Sequence, residues 1–114
     1  MATAVSKTVE LTHHGRSSGK PYQVTVWFVE IDGHIWIGSL DPRRSWVLNV
    51  KHNGRAVIDL GSGPIEYQAF FILNARELEC FAQAVTAKYP IMSRLIRLLT
   101  RKRKHVAFRL DELS

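Results

Sequence analysis

Apolar and polar side chains alternate along most of this chain, and a period of two predicts strands. Thr8-Val9-Glu10-Leu11-Thr12 reads as a short one. Tyr22 to Ile31 is dense in β-branched and aromatic residues, with Val24, Val26 and Phe28 alternating against Thr25, Trp27 and Val29. Asp32-Gly33 follows, a dipeptide suited to the two positive φ angles of a type I′ turn, so His34 to Ser39 is the returning strand of a hairpin. Ala56 to Leu60 and Ile65 to Leu73 are further strands, joined through Gly61-Ser62-Gly63-Pro64, and His105 to Leu110 alternates as the last. Helical spacing interrupts this pattern. Ser45 to Asn53 carries Trp46, Leu48 and Val50 among polar residues and stops at Gly54. Asn74 with Glu77 gives an N-cap and a partial capping box, after which Leu78, Phe81, Ala82, Val85 and Tyr89 keep helical spacing up to Pro90. Ile91 to Leu99 continues as a second helical piece. The expectation is a mainly β (α+β) fold of about six antiparallel strands with two or three short helices. A small barrel closed by the last strand removes its sheet edges.

Length and composition narrow this picture. The 114 residues fit a single domain, and 46% hydrophobic with 23% charged residues marks a globular chain rather than a disordered one. Cys80, the only cysteine, forms no intrachain disulfide, and its place beside Phe81 predicts a buried structural thiol. No apolar run approaches the roughly 20 residues that cross a bilayer, so a cytoplasmic location is expected.

The net charge of +6 points to an anionic partner: nucleic acid, an anionic membrane, or a small ligand bearing phosphate or carboxylate. Position decides among them. The loop Gly15-Arg16-Ser17-Ser18-Gly19-Lys20 combines two glycines, two cations and two hydroxyls, a composition that suits a phosphate or carboxylate, or simply a solvated turn. Arg43 and Arg44 stand just ahead of the helix at Ser45, whose N-terminus is a second place for an anion. Trp46 and Val50 there read equally well as packing residues, and Lys51 as a solvated one. Interleaved exposed aromatics of the kind that bind single strands are missing from the basic segments, which argues against nucleic acid. The adjacent His13 and His14 point to opposite faces of a strand, and His34, His52 and His105 show no metal spacing, so no metal site is expected; haem ligation by one histidine stays open. No Gly-x-Ser-x-Gly, Cys/His or carboxylate pair suggests a nucleophile.

Thr12-His13-His14-Gly15-Arg16-Ser17-Ser18-Gly19-Lys20-Pro21, followed by Val26-Trp27-Phe28-Val29, resembles the opening signature of the deazaflavin (F420)-dependent nitroreductase family. These are split β-barrels related to the pyridoxamine 5'-phosphate oxidase-like flavoproteins. Trp46-Val47-Leu48-Asn49-Val50-Lys51-His52-Asn53 is similar to that family's second motif. The resemblance implies an oxidoreductase using F420, or FMN as the alternative, to pass a hydride to a planar electron-poor small molecule such as a quinone, nitroaromatic or enone. It places Arg16, Ser17 and Ser18, with Gly19 and Lys20, at the cofactor's phosphate or acidic tail. The strand carrying Tyr22, Val24, Thr25 and Val26 would run along the ring system. Gly38 and Ser39 would take a further segment, and Ser45, Trp46 and Asn49, with Arg43, Arg44 and Lys51, would close the site. No catalytic side chain follows from it. Ser17 and Tyr22 are uncharged where the family often has a basic residue, and Leu40 stands where a Lys is common. The rival expectation is a non-catalytic split barrel holding haem, a tetrapyrrole, a fatty acid or a cofactor.

Two expectations concern partners. A chain this small buries little alone, so a homodimer is expected, with Trp27 or Trp36 at its interface. Ile91 to Lys104 carries Ile91, Leu95, Leu98 and Leu99 as an apolar stripe, with Arg94, Arg97 and Arg101 on another face. That pattern fits a lid packed on the barrel or a peripheral contact with an anionic membrane.

Overall fold

The computed structural model describes residues 8–39, 41–90 and 105–113. Six strands run in the order β1 (Thr8–His14), β2 (Pro21–Ile31), β3 (His34–Ser39), β4 (Arg55–Asp59), β5 (Pro64–Phe71) and β6 (Val106–Glu112). They pair antiparallel as β1-β2-β3-β6-β5-β4, and β4 returns to β1 to close a barrel. Helix α1 (Ser45–Asn53) lies between β3 and β4, and α2 (Ala75–Lys88) between β5 and β6. The β2–β3 turn has φ of 51° at Asp32 and 82° at Gly33, the two positive values that the Asp-Gly dipeptide predicts.

Inward-facing positions fill the barrel. Val9 and Leu11 on β1, Val26 and Phe28 on β2, Ile35 and Ile37 on β3, Ile58 on β4, and Phe108 and Leu110 on β6 form one buried cluster. Trp46, Val47 and Val50 of α1 join it and plug one end, with the Trp46 ring 5.9 Å from Phe108. The outer face of β2-β3-β6 is also covered. Val29, Trp36 and Ala107 there pack with Phe81 and Tyr89 in a second cluster. Burial on both faces explains why β2 carries apolar residues at successive positions instead of a clean alternation.

The strand bounds differ from expectation in instructive ways. β1 runs two residues further, to His14, because His13 and His14 still pair with Tyr22 and Pro21. β6 extends to Glu112, which pairs with Tyr67. Helix α1 has the expected bounds and ends at Gly54, whose φ of 72° is the left-handed cap that glycine accepts readily. Asn74 caps α2 by accepting from the backbone N–H of Arg76 and Glu77. Cys80 corrects the sequence reading: it is exposed. It neighbours Phe81 in sequence but lies about 100° around the helix from it, off the face that packs on the sheet. Trp36 is likewise no free interface residue, since it is buried with its ring stacked on Phe81; Trp27 is half-buried, stacked on Tyr89. The Ile91–Lys104 expectation lies outside the described residues, apart from which no helix is long and apolar enough to cross a membrane.

Gly38 is where β3 lets α2 approach. A Cβ on it would sit 2.5 Å from Phe81 Cζ and 2.7 Å from the Val106 carbonyl oxygen. Gly38→Ala is therefore expected to cost about 1–3 kcal/mol through overpacking. Urea unfolding should show a lower midpoint with an unchanged m-value.

Candidate functional site

The barrel's closing seam is short. β1 pairs with β4 only at Glu10, Leu11 and Thr12, so His13 and His14 run past it with β2 alone as a strand partner. Helix α1 fills that opening. Asn53 Nδ2 donates to the His14 carbonyl at 2.7 Å, taking the place of a missing strand neighbour. One turn earlier, Asn49 reaches His13, with Nδ2 and Nδ1 2.9 Å apart.

Above this junction the Gly15–Lys20 loop folds on itself. Gly15 N–H donates to the Lys20 carbonyl at 2.9 Å and Gly19 N–H to the Gly15 carbonyl at 3.1 Å. Gly19 takes φ of 71°. Gly15 meets a different demand: a Cβ there would lie 2.6 Å from Ser18 Oγ, which accepts from Lys20 N–H. The loop returns Arg16 over α1, where its Nη1 donates to Asn49 Oδ1 at 2.8 Å. His13, Gly15, Arg16, Ser17, Ser18, Tyr22, Ser45 and Asn49 line an open cleft of about 590 Å³. A second lobe of about 440 Å³ shares His13 and Ser45 and adds Val24, Asp41, Arg43, Arg44 and Trp46.

The electrostatics of both lobes favour an anion. Arg16, Arg43 and Arg44 line them, against the single carboxylate of Asp41. That carboxylate accepts from Arg43 through its backbone N–H at 2.9 Å and its Nε at 3.3 Å. The N-terminus of α1 opens at Ser45 with no side-chain cap and no acidic residue in its first turn, so its positive end stays available. His13 is 5% exposed, and its ring stacks on Tyr22 with centroids 5.7 Å apart. Burial first, and then the charge of His14, hold its pKa below the usual 6.5, so the imidazole is neutral near pH 7.

One further feature borders the cleft. β2 pairs with β3 only from Phe28 onward, so the edge of β2 from Pro21 to Trp27 opposite β1 has no strand partner among the described residues. Tyr22 and Val24 on this stretch line the two lobes of the cleft.

The sequence profile of the F420H(2)-dependent quinone reductase family matches residues 3–97. The chain belongs to that family. No curated protein sequence matches it. Among solved structures it resembles the F420-H2-dependent reductase FDR-A, with a TM-score of 0.71 and 23% identity over 92% of this chain and 94% of that one. It also resembles a domain-swapped dimer (TM-score 0.73, 24% identity, 92% and 80% covered). The haem storage protein HutZ of Vibrio cholerae has the same fold at 17% identity (TM-score 0.73, 98% and 85% covered).

The cleft brings together Arg16, Ser17, Ser18, Tyr22, Val24, Arg43, Arg44, Trp46 and Asn49 from the expected set. Others stand elsewhere. Gly38 receives Phe81, and Ser39 turns the chain by exchanging hydrogen bonds with Asp41. Val26 is inside the barrel, and Thr25 is exposed on its outer side opposite Glu10. Lys51 Nζ lies over the Phe71 ring at 4.3 Å, and Gly19 and Lys20 complete the loop without lining the cleft. His13 was not in that set. Its signal was the inward phase of β1, in which Val9, Leu11 and His13 are each buried.

Stability should depend on His13. Between the folded-state pKa and 6.5 the unfolded chain binds more protons than the folded one, so stability rises with pH through that window. Acidification below 6.5 is therefore expected to destabilise the protein. His13→Gln should flatten this slope, as read by urea unfolding across pH 5 to 8.

Proposed function

We propose that this chain is an F420H2-dependent oxidoreductase that reduces quinones or related planar electron-poor compounds. The observation that carries the reading is the cationic cleft beside a β2 edge that has no strand partner among the described residues, in a member of the quinone reductase family. The residues fit such a cofactor. Arg16, Ser17, Ser18 and Ser45 would bind its phosphate, with the first turn of α1 supplying backbone N–H groups. Arg43 and Arg44 would meet further acidic groups of its tail. The β2 edge, flanked by Tyr22 and Val24, would orient the ring, and Trp46 would keep water from that side. When bound, the cofactor supplies the hydride. The protein's own part is orientation, charge matching and exclusion of water. FMN offers the same phosphate and is the competing ligand. A homodimer in the cytoplasm is the proposed working form, supported by the domain-swapped dimer among the similar structures and by the small core of one chain.

Fluorescence titration with F420 and with FMN, followed by F420H2 oxidation in the presence of menadione, tests the reading. F420 binding and menadione-dependent turnover are expected. Arg16→Ala should weaken F420 binding by about 1.5–3 kcal/mol, roughly ten- to a hundredfold in Kd, with the fold retained. A haemin complex without any binding of F420 would instead favour the carrier reading. Sedimentation of the cofactor complex at micromolar concentration should give a dimer.

A further inference from the structure

The hydrogen bonds at the bottom of the cleft have a direction. A guanidinium only donates, so Asn49 Oδ1 is the atom that accepts from Arg16. This turns the amide nitrogen of Asn49 toward His13. An amide nitrogen also only donates, so His13 Nδ1 must accept and carries no proton. The neutral imidazole then holds its hydrogen on Nε2. Among the described residues, Trp36 Nε1 and His105 Nε2 are the side-chain polar atoms that are both enclosed and without a partner. His13 Nε2 has no hydrogen-bond partner among the described residues, and His13 lines both lobes of the cleft.

We infer that His13 is the neutral hydrogen-bond donor of this cleft, its Nε2–H meeting an acceptor oxygen, carbonyl or oxyanion, of the bound molecule. Asn49 is the positioning residue that selects this tautomer, and Arg16 is what orients Asn49. Protonation would place an N–H on Nδ1 against the Asn49 amide nitrogen. Rotating the amide would relieve that contact and set the same nitrogen against Arg16, so the charged ring has no compatible arrangement. Arg16 in the loop and Arg43 and Arg44 ahead of α1 place cations around the cleft, the adjacent His14 opposes a positive charge on the ring, and Tyr22 covers the ring from β2. Asp41, the one carboxylate of the second lobe, is engaged by Arg43. A donor fixed in place before the ligand arrives costs no reorganisation when charge develops on the acceptor oxygen.

The tautomer follows from the protein alone, whereas naming the bound molecule rests on the proposed function. Long-range proton–nitrogen correlation spectra of ligand-free protein at pH 7.5 read the tautomer directly, with His13 assigned by its loss in His13→Gln. Nε2–H is expected, and Asn49→Ala should convert it to a mixture. A proton on Nδ1, or averaging in the parent protein, would overturn the inference. The donor role is read by adding F420, FMN or menadione to the labelled protein: the His13 Nε2–H resonance should move, and no movement with any of them would overturn that role. His13→Leu should raise either the Kd for F420 or the KM for menadione about tenfold, and His13→Gln, which keeps an N–H donor, should recover most of it. A rise in Kd assigns the acceptor oxygen to the deazaflavin, and a rise in KM alone assigns it to the quinone. Unchanged values in both would overturn the role. A protein that binds no F420 but shifts the resonance with FMN or menadione would sink the functional reading and keep the donor.

Discussion

Closure of the barrel by three residue pairs between β1 and β4 is the constraint on which the rest of the site depends. A longer seam would have given His13 and His14 strand neighbours on both sides and left α1 nothing to fill. Because the ladder stops at Thr12, two asparagines one turn apart on α1 take over the unmet groups of β1. The helix is thereby fixed in position, with its N-terminus, its tryptophan and the arginines ahead of it all delivered to one end of the barrel. Closure and opening are the same event at this seam.

The second constraint is the cover on the other side. α2 lies across β2, β3 and β6, with Phe81 seated on Gly38 and Tyr89 donating its hydroxyl to the Phe28 carbonyl at 2.9 Å. Lys88 adds a bond to that carbonyl at 2.9 Å and lies over the Phe28 ring, a position in which burial pushes its pKa down. The barrel wall away from the cleft is thus held from inside and outside, while at the cleft end the polar contacts of Arg16, Asn49 and Asn53 add to the packing of Trp46, Val47 and Val50. Rigidity and accessibility are divided between the two ends of β2.

Much of this was legible in the residues. Asp32-Gly33, Gly54 and Asn74 each mark a local conformation that few other residues favour, so the hairpin, the end of α1 and the start of α2 could be read from short windows. Arg16, Ser17 and Ser18 were legible as a loop because glycines frame them, whereas the cleft they line takes form only once α1 is in place. Gly38 was not legible as a packing site, since the phenylalanine that needs its missing side chain comes from a helix 43 positions later, an interval visible only after folding. Cys80 was misread because nearness in sequence to Phe81 says nothing about helix face. His13 was overlooked for a related reason. A polar residue at the end of an alternating run looks like the start of a loop, and only its partner on α1 makes it part of the interior.

Asn49 illustrates how much meaning two nearly isosteric atoms can hold. An aspartate would occupy the same volume and greet Arg16 at least as warmly, yet it would present an oxygen where the imidazole now finds a nitrogen. The ring would have to answer by moving its hydrogen to the near side or by taking a second one, and the face offered to the cleft would change from giver to receiver, or to a cation. The sense of the whole chain of contacts is thus stored in one amide, and the difference between that sense and its reverse is a single nitrogen.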